Sequence, residues 1–276
     1  MGLWIMAGVT FREAARKKIL WIGLLAGIAF LTLFGTGMHF QVKDFNMRTI
    51  PPFIRYQAIS GILQVGFYAV DLLAVVMTVL TSVDTISGEI NSGTIHAIAT
   101  KPIPRWQVLI GKWTGFVGMV AAYVTVMFGG VLVLGYWIGG VLPQNPIRGA
   151  LLIFLECVLV LTVTFASGTW FSTLTNGVIV LGLHGLAFLG GWIEQIGGFT
   201  HSPRLATLGI ISSLIMPSES LWRRAVFEMQ SSITRALPFG PFSNASAPSL
   251  AMIAYAGAYV LFALALAIYH FNQRDL

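Results

Sequence analysis

Four ionisable side chains stand inside long apolar stretches of the sequence: Asp71, Glu156, His184 and Glu194. Carboxylates and imidazoles transfer protons and bind metal ions, so several kinds of chemistry are open to this set. Asp71 and Glu156 can line the path of a transported substrate or pair across a helical bundle. Asp71 can instead carry protons in a secondary transporter, or all four can form an embedded hydrolase or metal site. The alternative is a neutral, hydrogen-bonded packing role, which we favour for His184 and leave open for Asp71.

Motifs that would support enzymatic chemistry are absent from the sequence. It contains no HExxH, no GxSxG and no close spacing of histidine and carboxylate around these four residues, which counts against the hydrolase and metal hypotheses. No convincing inverted repeat, expected of many secondary transporters, is visible. A phosphate-binding GxxxxGK[ST] is also missing, since Gly111-Lys112 is followed by Trp113. We expect this chain to bind no cofactor or metal itself, and it cannot bind and hydrolyse ATP by that route alone.

A second group of charges is concentrated between residues 82 and 112, in a chain that otherwise avoids charge. Its members are Asp84, Glu89, Lys101, Arg105 and Lys112. Gly88 and Gly93 allow sharp turns on either side of Glu89, and a short helix over residues 95–99 is then ended by two prolines. The pattern predicts a short helix held crosswise at the end of two long ones. A well-capped hairpin with no further role is the alternative.

The composition shows which elements must position these residues. The 276 residues are 56% hydrophobic and 9% charged, with a mean hydropathy of +0.82, whereas a soluble domain is about 25% charged. A soluble enzyme is therefore excluded. Long apolar runs predict six membrane spans, each able to cross a ~30 Å hydrocarbon core, at about 19–38, 56–83, 113–142, 150–174, 178–197 and 249–271. These runs are apolar on every face, so the predicted fold is an all-α polytopic membrane protein and not a barrel.

The segments outside the spans contain amphipathic patterns. Residues 1–18 predict an interfacial helix with its basic face toward anionic lipid, although a plain basic cluster fits almost as well. Its apolar face is predicted to hold Trp4, Ala7, Gly8, Phe11 and Ala15, and Glu13 and Lys17 form a favourable i,i+4 pair. Residues 200–248 predict two interfacial or re-entrant helices, the second with Arg223 and Arg224 on its polar face. Thr175-Asn176-Gly177 is the expected turn between the fourth and fifth spans.

Charge counting does not orient the chain. With the N-terminus inside, the 16 lysines and arginines divide equally between the two sides. The net charge of +6 does not imply nucleic acid, because the basic residues are spread over both sides. On the outer side they would suit an anionic or amphipathic cargo, and anionic lipid headgroups explain them equally well.

The charged stretch resembles a known family. The pattern D-x-x-x-G-E-x-x-x-G-T, followed by P-x-x-R and G-K, is similar to that of the permease subunits of type 2 ABC transporters. The matching residues are Asp84, Gly88, Glu89, Gly93, Thr94, Pro102, Arg105, Gly111 and Lys112. The resemblance implies that residues 84–112 contain a cytoplasmic coupling helix that docks in a groove of the ATPase subunit. It makes Glu89 and Arg105 ionic contacts or braces at that joint, Gly88 and Gly93 its turns, and Asp84, Thr94 and Lys112 further parts of it.

The resemblance also implies the setting in which the chain works. It implies one permease domain over residues 1–276, two cytoplasmic ABC ATPase subunits that use ATP and Mg, and a second permease copy in a homodimer or heterodimer. Export is the expected direction, through the cell membrane of a bacterium or archaeon, with both termini cytoplasmic. One departure is that Thr175-Asn176-Gly177 lacks the basic residues usual in that turn, which weakens any second charged contact with the ATPase. The substrate is not indicated.

Overall fold

A computed structural model describes residues 2–48, 50–92, 104–231 and 248–273. In these ranges all regular secondary structure is helical, and nine α-helices follow one another along the chain. They are α1 (Gly2–Arg16), α2 (Lys18–Met47), α3 (Pro52–Ser92), α4 (Arg105–Leu134), α5 (Pro146–Gly168), α6 (Thr173–Phe199), α7 (Pro203–Ile215), α8 (Ser218–Met229) and α9 (Leu250–Gln273). A five-residue π-helix, Gly135–Gly139, extends α4. Among the described residues, six helices are long and apolar enough to cross a membrane, as predicted: α2, α3, α4, α5, α6 and α9.

Helix α5 forms the centre of the bundle. It packs against α3, α4, α6, α8 and α9, and it is the most buried of the six candidate spans. Its sequence is apolar on nearly every face, which is the pattern of a helix surrounded by other helices. Cys157, the single cysteine of the sequence, is fully buried there, in agreement with its predicted core position. By contrast, α2 and α9 lie at the periphery and expose large apolar side chains, as lipid contact requires.

Close helix packing depends on glycine at the contact between α1 and α4. A Cβ added at Gly115 would lie 2.8 Å from the carbonyl oxygen of Ala7 and 3.0 Å from the Cβ of Thr10. The buried face of α1 is therefore formed by Ala7, Thr10 and Ala14, which lie three or four residues apart. The predicted apolar face was wrong in part, because Phe11 stays exposed while small residues enter the groove beside Gly115. Small residues let helix backbones approach within a membrane, where packing contacts drive association.

Residues 84–92 form a helix and not a turn. Helix α3 continues through Gly88 to Ser92, so the predicted turn at Gly88 was wrong. A glycine inside a helix costs about 1 kcal/mol relative to alanine, and the ion pairs of Asp84 and Glu89 described below offset that cost. The third span also starts earlier than predicted, because α4 begins at Arg105. Gly93, Thr94 and the predicted short helix over residues 95–99 lie outside the described residues.

The turn between the fourth and fifth spans differs from the sequence prediction. Helix α6 begins at Thr173, so the chain turns at residues 169–172, and Thr175-Asn176-Gly177 lies within the helix. Asn176 is fully buried. Its amide group donates to the carbonyl oxygen of Thr164 at 3.0 Å and to that of Val83 at 3.3 Å. These hydrogen bonds satisfy a side chain that otherwise favours a turn, and the helix can therefore include it.

Helices α7 and α8 form a bent pair with an angle of 107° between them. Helix α7 packs closely on α6, and a Cβ added at Gly209 would lie 2.7 Å from the carbonyl oxygen of Gly190. Helix α8 packs against α5 and is buried on both its apolar and its polar side. The pair fits a broken span or a re-entrant segment, and the re-entrant alternative was one of those predicted for residues 200–248.

Candidate functional site

One candidate site is a pair of ion pairs at the end of the bundle where α3 ends and α4 begins. Lys17 Nζ, just after α1, lies 2.7 Å from Asp84 Oδ1 on α3. Lys112 on α4 pairs with Glu89 on α3, and its side chain is only 4% exposed. We call these four residues the ionic joint. It connects α1, α3 and α4, and it replaces the expected contact between Lys17 and Glu13.

The ionic joint includes three of the residues that the sequence singled out between 84 and 112. Asp84, Glu89 and Lys112 all have their charges matched within the chain. Arg105 is the first residue of α4 and precedes Lys112 by two helical turns. The structure therefore brings together most of the charged group that the sequence placed around the predicted coupling segment. Lys17 was missed as a partner, because residues more than 60 positions apart carry no periodic signal of their contact.

A polar brace next to the ionic joint fixes the start of α6 to the same part of α3. Ser167 donates to Asn176, and the hydroxyl groups of Ser87 and Thr173 lie 2.9 Å apart. Together with the Asn176 bond to Val83, these contacts join α3, α5 and α6 at one level. The connection between α5 and α6 thus uses hydrogen bonds where the resembled family has basic residues.

A second candidate site is a carboxyl cluster inside the bundle. We use this name for Asp71 on α3, Glu156 on α5 and Glu219 on α8. Asp71 and Glu156 lie within hydrogen-bonding reach of each other, and Glu219 interacts electrostatically with both. All three are buried, with 4%, 0% and 6% of their surfaces exposed respectively. Three helices that are distant in sequence therefore bring three carboxyl groups together away from water.

His184 on α6 lies at the edge of the carboxyl cluster. Its Nδ1 is 3.1 Å from Ser218 Oγ and 4.0 Å from Glu156 Oε1. The contact with Ser218 is a hydrogen bond, consistent with the packing role that the sequence favoured for this histidine, and the contact with Glu156 is an ion pair only when the ring is protonated. Glu219, which the sequence reasoning missed, is in the first turn of α8. An acidic residue just after a proline at a helix start is the signal that marks it.

Glu194 belongs to a separate contact beside the carboxyl cluster. Its Oε2 lies 2.7 Å from Arg223 Nη2, and the two side chains are 8% and 3% exposed. Arg223 was predicted on the polar face of its helix, and the structure shows that this face is buried as well. The guanidinium is buried because α6 presents a carboxylate to it, and a paired charge can be buried where an isolated one cannot. This ion pair fixes α8 to α6.

The far end of α8 is also held by charge. Glu228 pairs with Arg224 on the same helix and with Arg148 on α5, the latter at 3.4 Å. Burial alone raises the pKa of Glu228, but the hydrogen bonds and positive charges of Arg224 and Arg148 outweigh it and hold the pKa below its usual value. Asn145 donates a further bond to the carbonyl oxygen of Glu228 at 3.2 Å. Both ends of α8 are therefore attached to neighbouring helices.

The structure gives no support to the metal hypothesis. Within the described residues, no three histidine, cysteine, aspartate or glutamate side chains are arranged so that they could hold a metal ion. Asp71, Glu156 and His184 do come together, but Glu194 is engaged with Arg223 instead. The buried carboxyl groups and the imidazole of His184 can instead bind protons and form charged contacts between helices.

The fold and these sites define a class: a multi-pass helical membrane protein with ionisable groups inside its bundle, as transport proteins have. Within that class, residues 4–276 match the family described as ABC-2 family transporter protein. The chain belongs to this family and is the membrane-spanning permease component of an ABC transporter. The family that the sequence resembled is thereby confirmed. ABC-2 permeases work with ABC ATPase subunits, which supply the ATPase activity. No curated protein matches the chain.

Proposed function

We propose that this permease is the membrane domain of an exporter in which residues 84–112 dock on the ATPase subunit. The ionic joint carries this proposal. It locks the membrane-proximal parts of the segment to α1, α3 and α4, so a push on the segment must move these helices together. A loose hairpin with no mechanical role would not need a lysine that is 4% exposed to pair with a carboxylate on the neighbouring helix.

Helix α3 provides a direct mechanical connection to the middle of the bundle. It runs without interruption from Pro52 to Ser92. At 1.5 Å per residue, Asp71 lies about 30 Å along the helix from Ser92. A rigid helix of this length transmits a tilt imposed at Ser92 to the carboxyl cluster. The polar brace at Asn176 adds α6 to the same moving unit.

The ionic joint also distinguishes the residues that brace the segment from those that contact the ATPase. Asp84, Glu89 and Lys112 are already paired within the chain, so we assign them to bracing the segment. The family resemblance implies Arg105, the first residue of α4, as a further ionic contact or brace, and we propose that it contacts the ATPase. Gly93 and Thr94, which the family resemblance implies for this contact, belong to the same proposal.

Docking of residues 84–112 on the ATPase sets the orientation of the chain in the membrane and the partners that it needs. The end that carries Ser92 and Arg105 faces the cytoplasm, and both termini are on that side. Two ATPase subunits bind ATP and Mg there, and a second permease copy completes the transporter. Alternating access follows as the paired ATPases close and open. The substrate path would lie near the carboxyl cluster, where α3, α5 and α8 meet.

Coupling can be tested with variants at both ends of the bundle. Glu89→Ala, in the ionic joint, and Arg105→Ala, at the start of α4, should leave the protein inserted but uncouple ATP hydrolysis from transport, because the segment no longer transmits motion. Matched control variants are Asp44→Ala and Arg204→Ala, which remove exposed charges at the opposite end. The measurement is ATPase rate and transport in proteoliposomes that contain the copurified ATPase. Normal coupled transport in both the Glu89 and the Arg105 variants would contradict the proposal.

Copurification tests the partner directly. An ATPase of separate sequence should accompany the chain in detergent, in equal numbers of copies. Recovery of this chain alone, with transport that follows a proton gradient and needs no ATP, would replace the proposal with a secondary transporter that uses Asp71.

A further inference from the structure

The carboxyl cluster contains more acidic groups than the surrounding cations can neutralise. Asp44, Asp84, Glu89, Glu194 and Glu228 each have a lysine or arginine within ion-pair distance. Asp71 and Glu156 have no such pair among the described residues. Arg223 interacts with Glu219, but it is already paired with Glu194 at 2.7 Å. Full ionisation would therefore leave buried negative charges without counterions, at a cost of several kcal/mol per ion.

Among the described residues, the carboxyl oxygens of Glu156 also lack hydrogen-bond donors around them. Its side chain is 0% exposed, and within the described part of the chain neither carboxyl oxygen accepts a hydrogen bond from a donor group. One oxygen of Asp71, Oδ1, is in the same situation. The carboxyl group of Asp71 lies within hydrogen-bonding reach of Glu156. Two carboxyl groups can bond to each other only when one of them carries a proton, because ionised carboxylates are acceptors only.

We propose that the carboxyl cluster is a proton-binding site. The packed bundle holds at least one proton between Asp71 and Glu156, and the site releases the proton when water reaches these two carboxyl groups. This inference does not depend on how residues 84–112 dock on the ATPase. Transport is still driven by ATP, and the proton is a ligand that the permease binds. No covalent step is involved, since a proton moves between carboxyl oxygens and water.

The size of the site favours a proton over a larger ligand. The three acids are at most 6% exposed, and the side chains around them are packed. A cavity of about 370 Å³ does exist, but its lining includes Arg55, Tyr56 and Gly139 and none of these acids. A proton needs no cavity, whereas an organic cation does.

Groups on every helix packed around the site determine its charge. Helix α3 contributes Asp71 and Tyr68, α5 contributes Glu156 and Cys157, α6 contributes His184 and Glu194, α8 contributes Glu219 and Arg223, and Tyr123 of α4 faces Cys157. His184 is the one of these that can accept the proton in place of a carboxyl group, at 4.0 Å from Glu156. Either location keeps one proton in the cluster.

Helix α8 makes the site sensitive to conformation. Glu219 and Ser218 sit at its first turn, against Asp71 and His184 respectively. If water reaches Asp71 and Glu156 when the substrate path opens, ionisation no longer carries a desolvation cost. Opening would then release a proton, and closing would bind one.

Infrared spectroscopy of the permease in lipid nanodiscs tests the proposal. At neutral pH the wild type should show absorption from protonated carboxyl groups buried in the protein. Asp71→Asn and Glu156→Gln should each reduce or shift that absorption, and the double variant should reduce it further. The amide introduced in each case can donate to the remaining carboxylate, so the fold should be retained. Asp44→Asn, at an exposed ion pair, is the control that should leave the absorption unchanged. An unchanged absorption in the double variant would overturn the proposal.

The pH dependence of unfolding gives a second measurement with a defined sign. If the folded chain binds more protons than the unfolded chain, rising pH favours unfolding. Each such proton changes the folded-to-unfolded ratio by about tenfold per pH unit between the two titration ranges. The Asp71→Asn, Glu156→Gln double variant should lose this slope near neutral pH, while Asp44→Asn keeps it. Equal slopes in the wild type and the double variant would overturn the proposal.

Discussion

Replacing Arg223 by methionine removes a buried cation while keeping most of its volume. The side chain is 3% exposed, and its guanidinium lies 2.7 Å from Glu194 Oε2. Methionine fills the space of the aliphatic stem, so packing changes little. Glu194, which is 8% exposed, is then left near Glu219 without its counterion. The loss of folding stability in this variant therefore reflects the broken ion pair and not a cavity.

The expected magnitude follows from the burial of both partners. Removing one member of a buried ion pair costs about 3–5 kcal/mol. We expect about 3 kcal/mol for Arg223→Met, the lower end of this range, and this reduces the folding equilibrium constant roughly a hundredfold. Glu194→Gln should cost about 1–2 kcal/mol, since Glu219 remains near Arg223. The double variant should cost less than the sum of the two, by more than about 1 kcal/mol.

Unfolding in mixed micelles, followed by the fluorescence of the eight tryptophans, measures these differences. Arg48→Met is the matched control. Arg48 pairs with Asp44 across one helical turn, but the two side chains are 70% and 44% exposed, so its loss should cost less than about 0.5 kcal/mol. If the costs of Arg223→Met and Glu194→Gln simply add in the double variant, the ion pair does not stabilise α8 and the reasoning is refuted.

Two further predictions concern other contacts of the bundle. Gly115→Leu should displace α1 from α4, because even a Cβ would lie 2.8 Å from the Ala7 carbonyl oxygen; proteolysis at the N-terminus should become faster, and unchanged protection would contradict the packing. The lowered pKa of Glu228 means that its pairs with Arg224 and Arg148 stabilise the fold above the pKa of the unfolded carboxyl group and are lost as pH falls through the folded pKa. In Glu228→Gln, this loss of folding stability at low pH should disappear from an unfolding titration. If the loss remains, another group causes it.

Much of the fold follows from the sequence because lipid imposes one strong rule. A run of about 20 apolar residues must form a helix across the membrane, and all six predicted runs correspond to candidate spans. The rule acts only inside the hydrocarbon layer, so it does not tell where a helix ends beyond it. Helix α3 continues to Ser92 and α4 begins at Arg105 because ion pairs stabilise polar helical turns there.

The candidate sites were predictable in part. Asp71 and Glu156 stood out because charge is rare in apolar runs, and the structure places them together. Their neighbour Glu219 and the partner of Lys17 were missed, since tertiary packing brings them in from distant positions. Arg223 was assigned to the polar face of an amphipathic helix, because helical periodicity separates polar from apolar residues but does not show whether a neighbour supplies a counterion.

The pairing of Arg223 with Glu194 also constrains how the chain enters the membrane during synthesis. An arginine is costly to bring into lipid without a counterion, so α8 has little tendency to enter lipid alone. Its partner lies 29 residues earlier, on α6, and is therefore synthesised before α8. Helix α8 can then insert late, against a preformed carboxylate, and not as an independent segment. The order of the helices along the chain is thus also a workable order of assembly.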